Sequence, residues 1–268
     1  MKIGGLGLLT GWGEGARALP ADARIAAAGR ALVPLPTPPR ADERRRRATR
    51  ECLLGIEAVE ALRRDTGIER SELAGTGTAL LYVTAAAYGP SNRLFVDADG
   101  AGGALHFPYT APSAVPAEVS IDFGLRGPYV TLVGGATATL DALWYAARLL
   151  EQHACERALV LAVEVFAECA DLWARARWLE YGPLVEAAAC ALLLSGGHTT
   201  EVVTAAAASP WEHAARRRGG ATLACGPLIA LALARAAGDD AQAVTAHWRG
   251  TRTRLVFRDG ARNDRAVT

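Results

Sequence analysis

One stretch of the chain has the pattern of a strand that turns directly into a helix. Residues 127–150 read GPYVTLVGGATATLDALWYAARLL: a β-branched run, a Gly-Gly turn and a long apolar helix. A helix N-terminus in this position would stabilise a thiolate or another developing negative charge. The residue at the start of the helix is Ala136, whose methyl group cannot act as a nucleophile. Thr137 and Thr139 follow closely, but a threonine hydroxyl needs an adjacent base, and near a helix start it is more often a cap.

The remaining residues with reactive side chains do not form a recognisable cluster. Five cysteines and five histidines are spread singly along the chain, without a CxxC pair or a histidine at metal-ligand spacing. We therefore expect neither a metal site, a cofactor site nor a disulfide framework. Cys225 is interpreted as a buried cysteine. Glu164 and Glu186 lie in apolar strands, so each is expected to have a hydrogen-bonding or cationic partner and a structural role.

Charge and hydropathy exclude several classes of partner. The net charge of +1 gives no bulk attraction to nucleic acid or to an anionic membrane surface, so an acidic partner would have to bind a local basic patch. No apolar run reaches the roughly 18 residues of a membrane span, and no signal peptide is recognised. The expected location is the cytoplasm.

The order of elements predicts an α/β layered architecture with a sheet buried on both faces by helices. The predicted helices and strands, and one long loop, are these: strands at 2–9, 76–84, 129–132, 157–163, 186–195, 201–208, 242–248 and 252–258, helices at 42–65, 117–123, 136–150 and 223–237, and a loop at 88–116. No linker separates the last seventy residues, so residues 198–268 are expected to pack on the same core as residues 1–197. Gly5 and Gly7 match a dinucleotide fingerprint only weakly, because they lie inside a strand.

Five segments, in order, resemble a known family. These segments are GLGLLTGWG (5–13), SIDFGLRGPYVTL (120–132), LVLAVEVF (159–166), PLVEAAACALLL (183–194) and HWRGTRTRLVFR (247–258). Together they are similar to the first strand, the approach to the active site, two later strands and the terminal hairpin of the β-ketoacyl synthases of the thiolase superfamily. The resemblance implies a thiolase-like layered αβαβα fold with a shortened C-terminal half.

The resemblance also implies which catalytic groups are missing. The family uses a cysteine at a helix N-terminus and two histidines; here the cysteine position is Ala136 and the second histidine turn corresponds to Gly220 and Ala221. The segment that carries the first histidine has no counterpart between Leu194 and Ala221. Ordinary condensation is therefore excluded, and no independent activity is expected.

A chain of this kind resembles a chain-length factor, the subunit that pairs with a cysteine-bearing ketosynthase and shapes the cavity for the growing chain. The resemblance implies a heterodimer in polyketide, aryl polyene or specialised fatty-acid biosynthesis, with Tyr129, Val130, Thr131 and Leu132 forming the strand at the dimer two-fold. Two alternatives stay open: a residual decarboxylase or acyltransferase acting on malonyl or acyl carrier protein, and a non-catalytic homodimeric scaffold.

Two arginine runs are candidates for docking an acidic acyl carrier protein. They are Arg44–Arg47 and the run Arg216, Arg217 and Arg218. Solvated surface charge is the favoured interpretation of both runs, since Asp42, Glu43 and Glu51 flank the first one. If the second run docks a partner, its neutralisation should weaken binding in a salt-dependent manner.

Overall fold

The structure is a computed structural model that describes residues 1–39, 48–98, 107–169, 171, 182–239 and 243–259. Its helices and strands, numbered in chain order, have the following bounds: β1 Lys2–Thr10, β2 Gly13–Glu14, α1 Ala23–Ala27, β3 Leu32–Val33, α2 Arg50–Thr66, α3 Arg70–Leu73, β4 Thr78–Thr84, α4 Gly89–Asp97, α5 Ala114–Phe123, β5 Tyr129–Val133, α6 Ala136–Glu151, β6 Arg157–Glu164, β7 Leu184–Val185, β8 Ala187–Leu194, β9 His198–Thr204, α7 Pro210–Gly219, α8 Gly226–Ala236, β10 Ala243–Trp248 and β11 Thr251–Asp259.

The main sheet has six strands in the order β2-β1-β8-β6-β4-β5. The strands β4, β5 and β6 are parallel, whereas β8 runs antiparallel to both β6 and β1. Its central strands are continuous apolar runs, as expected for strands covered on both sides. The carboxyl ends of the parallel strands β4, β5 and β6 therefore lie side by side at one end of the sheet.

Helices cover the two faces of this sheet. Side chains of α6 and α8 pack on one face, and side chains of α2 and α5 pack on the other. The prediction of an α/β sheet buried on both faces is thus confirmed.

A second sheet has three strands in the order β10-β11-β9 and packs on the far side of α6. Val244, Ala246 and Leu255 of this sheet belong to the same apolar cluster as α6 and α8. The layers therefore follow one another as helices, six-stranded sheet, helices and three-stranded sheet. The described part of residues 198–268 therefore shares the main core. The division of the chain at residues 197 and 198 stays a prediction.

The structure corrects several predicted boundaries. Helix α2 begins at Arg50, so Ala48 precedes it, and the predicted start at residue 42 lies outside the described residues. The predicted loop at 88–116 contains α4 and the beginning of α5. The strand expected at 201–208 is β9, which ends at Thr204, and α8 starts at Gly226 rather than Leu223.

Helix α7 was not predicted, although its start signal is present in the sequence. The Ser209 hydroxyl accepts a hydrogen bond from the Glu212 N–H at 3.2 Å, and Pro210 occupies the first helical turn. Both features are typical of helix N-termini.

Gly5 and Gly7 of β1 permit close packing of α2 and do not bind a nucleotide phosphate in this arrangement. A Cβ atom on Gly7 would lie 2.3 Å from the backbone nitrogen of Leu62 and 2.4 Å from the carbonyl oxygen of Ala58. A Cβ atom on Gly5 would lie 2.0 Å from Cγ2 of Thr66. These glycines let the helix lie directly on the strand.

We expect Gly7→Ala to destabilise the protein by about 1–3 kcal/mol, because the helix backbone must move away from β1. The matched control is Gly226→Ala in α8, where an added Cβ has no neighbour closer than 3.8 Å. That control should be neutral or slightly stabilising. Urea denaturation of both variants measures the effect; equal stabilities would contradict the packing argument.

Candidate functional site

The candidate site lies at the turn between β5 and α6. The Gly134 N–H donates to the Thr84 carbonyl at 2.9 Å, which fixes the turn to the end of β4. No side chain caps the first turn of α6, which begins at the half-buried Ala136. The geometry suits stabilisation of a negative charge at this helix N-terminus, but the alanine methyl offers no group to be activated.

The indole of Trp248, at the end of β10, packs directly on this turn. A Cβ atom on Gly135 would lie 2.2–2.7 Å from three atoms of the indole ring. The indole also packs against an apolar cluster that includes Phe166, Leu184 and Leu223. Side chains from the terminal hairpin and from two loops therefore fill one side of the turn.

A small cavity of about 50 Å³ lies beside Ala136. Ala136, Ala221, Thr222, Glu212 and His247 are among its lining residues. The volume is far below the roughly 300 Å³ of a small-ligand pocket, so this cavity alone does not hold an extended acyl chain. His247 comes from β10, and its proximity to Ala136 could not be read from the sequence.

Gly220 and Ala221, the positions of the expected histidine turn, are fixed to β7 by backbone contacts. Gly220 has a φ of 84°, and a Cβ there would lie 2.7 Å from Cγ2 of Val185. The Ala221 N–H donates to the Pro183 carbonyl at 2.9 Å, and the Val185 N–H donates to the Ala221 carbonyl at 3.0 Å. Both residues line the cavity beside Ala136. Their assignment as degenerate catalytic positions stays a prediction.

Two side chains near the turn, Thr139 and Cys225, are buried and contact backbone carbonyl groups. The Thr139 hydroxyl donates to the Ala224 carbonyl at 2.6 Å and is fully buried. The Cys225 thiol lies 3.4 Å from the carbonyl oxygens of both Ala162 and Ala187. Burial raises the pKa of Cys225 well above its ordinary value, so the thiol stays protonated and is a poor nucleophile. The interpretation of Cys225 as a buried cysteine is confirmed.

Glu164, at the end of β6, accepts hydrogen bonds from two separate segments, the loop after β4 and the turn before α8. Its carboxyl oxygens accept the N–H groups of Ala85 at 2.7 Å, Ala86 at 3.0 Å and Ala224 at 3.2 Å. Burial raises the pKa of Glu164 to about 8, although the hydrogen bonds from the backbone act in the opposite direction. The expected hydrogen-bonding partners are confirmed by these contacts, and a structural role stays a prediction.

Glu186 lies between β7 and β8 rather than within a strand, and it has the cationic partner that its burial requires. The Arg50 guanidinium forms an ion pair with it, and the N–H groups of Leu35, Phe166 and Ala167 donate to the same carboxylate. Burial alone would raise the pKa of Glu186, but the hydrogen bond and charge of Arg50, together with the backbone N–H groups of Phe166 and Leu35, lower it. The carboxylate therefore stays ionised and links the start of α2 to the junction between β7 and β8.

The strand β5 is an edge of the six-stranded sheet. It pairs with β4 alone among the described strands, and its side chains are only partly buried. Tyr129 is 47% exposed and Val133 is 57% exposed. An apolar strand edge of this kind favours pairing with another chain.

The three arginines at 216–218 have different surroundings. Arg218 donates to the backbone carbonyls of Leu19 at 2.9 Å and Pro20 at 3.1 Å, and so fixes α7 to an N-terminal loop. Arg216 and Arg217 are exposed, and Arg216 lies 3.9 Å from Glu212. The other run, Arg44–Arg47, lies outside the described residues.

The described part of the chain holds neither a metal-binding cluster nor a membrane-spanning helix. No group of three or more His, Cys, Asp or Glu side chains there could hold a metal ion. No helix there is both long and apolar enough to cross a bilayer.

We expect the stability cost of Glu164→Gln to shrink between pH 5 and pH 8. The folded protein binds the Glu164 proton more tightly than the unfolded chain, in which the carboxyl titrates near 4.5. This contribution to stability is therefore complete below pH 4.5 and is lost as the pH rises to about 8. Denaturant titrations of wild type and variant at both pH values test this; a difference that does not change with pH would contradict it.

Removing the Trp248 indole should open a cavity over the turn. We expect Trp248→Ala to cost about 2–4 kcal/mol of unfolding free energy, and added indole to recover part of it by binding the vacated space. The control Trp144→Ala on α6, where the side chain is 38% exposed, should cost less and show no rescue by indole. Thermal melts with and without indole measure both effects; absence of rescue in Trp248→Ala would contradict the packing described.

Comparison with known proteins places this geometry in a family. The sequence profile described as "Beta-ketoacyl synthase, N-terminal domain" matches residues 38–178, just over half of the chain. No curated protein matches significantly.

Several solved structures share the fold at low sequence identity. The ishigamide ketosynthase/chain length factor superposes with a TM-score of 0.68 at 17% identity, covering 96% of this chain and 98% of that one. An acyl carrier protein–ketosynthase complex of a type II polyketide synthase (AntDE:AntF) gives 0.71 at 13%, covering 96% and 99%. The ketosynthase ApeO with its chain length factor ApeC from Xenorhabdus doucetiae gives 0.64 at 10%, covering 95% and 98%. The thiolase-like fold is confirmed.

Proposed function

The chain belongs to the β-ketoacyl synthase family, and from that premise we propose that it is a catalytically inactive subunit of the chain-length-factor type. It pairs with a cysteine-bearing ketosynthase in polyketide, polyene or specialised fatty-acid biosynthesis and contributes to the wall of the acyl-chain cavity. In this proposal the chain has no independent condensing activity.

The observation that carries the proposal is a strand-to-helix turn that could activate a nucleophile but has an alanine at the nucleophile position. Ala136 occupies the uncapped N-terminus of α6, where a thiolate would be stabilised, and Gly135 is covered by the Trp248 indole. The Cys225 thiol, in the turn before α8, is fully buried, and burial raises its pKa. The framework for activation is retained, and the group to be activated is absent.

The open edge of β5 supports pairing with a second subunit. The Gly134 N–H and the Pro128 carbonyl both bond to β4, so the even-numbered residues of β5 direct their backbone groups toward β4. Because backbone direction alternates along a strand, Tyr129, Thr131 and Val133 direct theirs toward the open edge. A partner strand added there would bond to these groups and cover the exposed Tyr129 and Val133 side chains.

The small volume beside Ala136 supports a cavity that is shared with a partner. The chain's own cavity beside Ala136 has a volume of only about 50 Å³, and the Trp248 indole packs on the neighbouring Gly135. In two of the similar structures, a ketosynthase occurs together with a chain length factor. We therefore place the acyl chain at the junction of the two subunits.

Co-expression with a candidate cysteine-bearing ketosynthase tests the pairing. We expect a stable one-to-one complex by size exclusion and native mass spectrometry. Thr131→Pro should abolish it, because proline removes an N–H from the open edge and leaves the bonds to β4 intact. The control Thr131→Val keeps that N–H and should assemble normally.

Two results would contradict the proposed pairing. One is a homodimer that excludes every candidate ketosynthase, which would favour the non-catalytic homodimeric scaffold. The other is unchanged assembly of Thr131→Pro, provided that circular dichroism and thermal melting show this variant to be folded.

A residual decarboxylase or acyltransferase is the second candidate, favoured by one observation. His247 lines the cavity beside Ala136 at the N-terminus of α6, an arrangement that resembles a partial oxyanion site. Turnover of malonyl or acyl carrier protein by the isolated chain, abolished by His247→Ala, would support it. Absence of turnover would leave the non-catalytic subunit as the better account.

A further inference from the structure

The three-stranded sheet has an apolar inner face and a basic outer face. On β11, Leu255 and Phe257 pack into the core cluster beside α6. Side chains alternate along a strand, so Arg252, Arg254 and Arg258 lie on the opposite face. Arg254 and Arg258 are both exposed.

Register extends this outer face to the neighbouring strands. Arg254 lies opposite Val203 of β9 and Thr245 of β10, and Val256 lies opposite Glu201. Val203 and Val256 are only partly buried, so apolar side chains alternate with the arginines.

Glu212 joins the arginines of α7 to this face. The buried Glu212 carboxylate accepts a hydrogen bond from the Thr245 hydroxyl at 2.5 Å and lies 3.5 Å from the Arg252 guanidinium. Arg216 approaches the same carboxylate. Arg216 therefore belongs to the basic face, whereas Arg218 is bound to the N-terminal loop.

The resulting charge is strongly local. Four arginines on this face (Arg216, Arg252, Arg254 and Arg258) stand against two glutamates, Glu201 and Glu212, while the whole chain has a net charge of only +1. Arg254 forms no ion pair with any described residue. A surface in which guanidinium groups alternate with valines has the composition of a protein-binding surface more than that of a polyphosphate groove.

We propose that this outer face, defined by Arg216, Arg252, Arg254 and Arg258, is a docking surface for an acidic protein. Resting on the proposed function, the partner is the acyl carrier protein of the same pathway. Charge complementarity selects it: carrier proteins are acidic, and this face carries more arginines than acidic side chains although the whole chain is near neutrality. The surface is separate from β5, so docking and pairing with a ketosynthase are compatible.

The test measures binding of a fluorescently labelled, phosphopantetheinylated type II acyl carrier protein by anisotropy, at low and at high salt. The variant is Arg254→Gln with Arg258→Gln, which spares Arg252 because that residue neighbours the buried Glu212. We expect about tenfold weaker binding at low salt and a smaller salt dependence. The matched control is Arg24→Gln with Arg126→Gln, two exposed arginines elsewhere that change the net charge equally.

The outcomes separate this inference from the proposed function. Weaker binding in the first variant alone, with the one-to-one ketosynthase complex still formed, supports the docking surface. Equal binding by wild type and both variants, with the complex intact, overturns the docking surface and leaves the proposed function standing. An equal loss of affinity in both variants also overturns the docking surface, because net charge rather than this face would then govern binding.

Discussion

The buried carboxyl group of Glu164 holds three segments together: the end of β6, the loop after β4 and the turn before α8. Glu164 accepts N–H groups from the loop after β4 and from the turn before α8. The carbonyl of Ala224 in that same turn accepts the Thr139 hydroxyl of α6. The position of the α6 N-terminus relative to the surrounding loops depends on this chain of contacts. A carboxyl group without these donors would be costly at such depth.

This architecture surrounds a helix N-terminus whose first residue, Ala136, carries no nucleophile. The α6 N-terminus is open to a developing charge, yet Ala136 has no reactive group and the Trp248 indole covers Gly135. At the molecular surface, the apolar edge strand β5 is partly exposed. Retention of the frame is understandable if the frame itself is what a partner subunit binds.

Much of the fold could be predicted from residue patterns, because the strands of the main sheet are continuous apolar runs and α6 follows its strand after a two-glycine turn. Helix α4 was missed because its apolar residues Leu94, Phe95 and Val96 are exposed and mark no buried stripe. Helix α7 is polar, and only its Ser-Pro start indicates it.

The surroundings of Ala136 were less predictable, because the residues around it come from distant parts of the chain. Ala136 could be recognised from its local turn, but nothing near it in sequence indicates Trp248 or His247, which lie more than a hundred residues later. The same limit applies to the arginines at 216–218. Only the structure separates Arg218, which binds the N-terminal loop, from Arg216, which shares Glu212 with Arg252.

The most direct test of the account is to measure product formation from malonyl and acyl carrier protein by the isolated chain, by its ketosynthase partner alone and by the complex of the two. The account predicts no turnover by the isolated chain, full activity in the complex, and complete loss when the partner's nucleophilic cysteine is replaced by alanine. Turnover by the isolated chain, or by a complex whose partner lacks that cysteine, would contradict it.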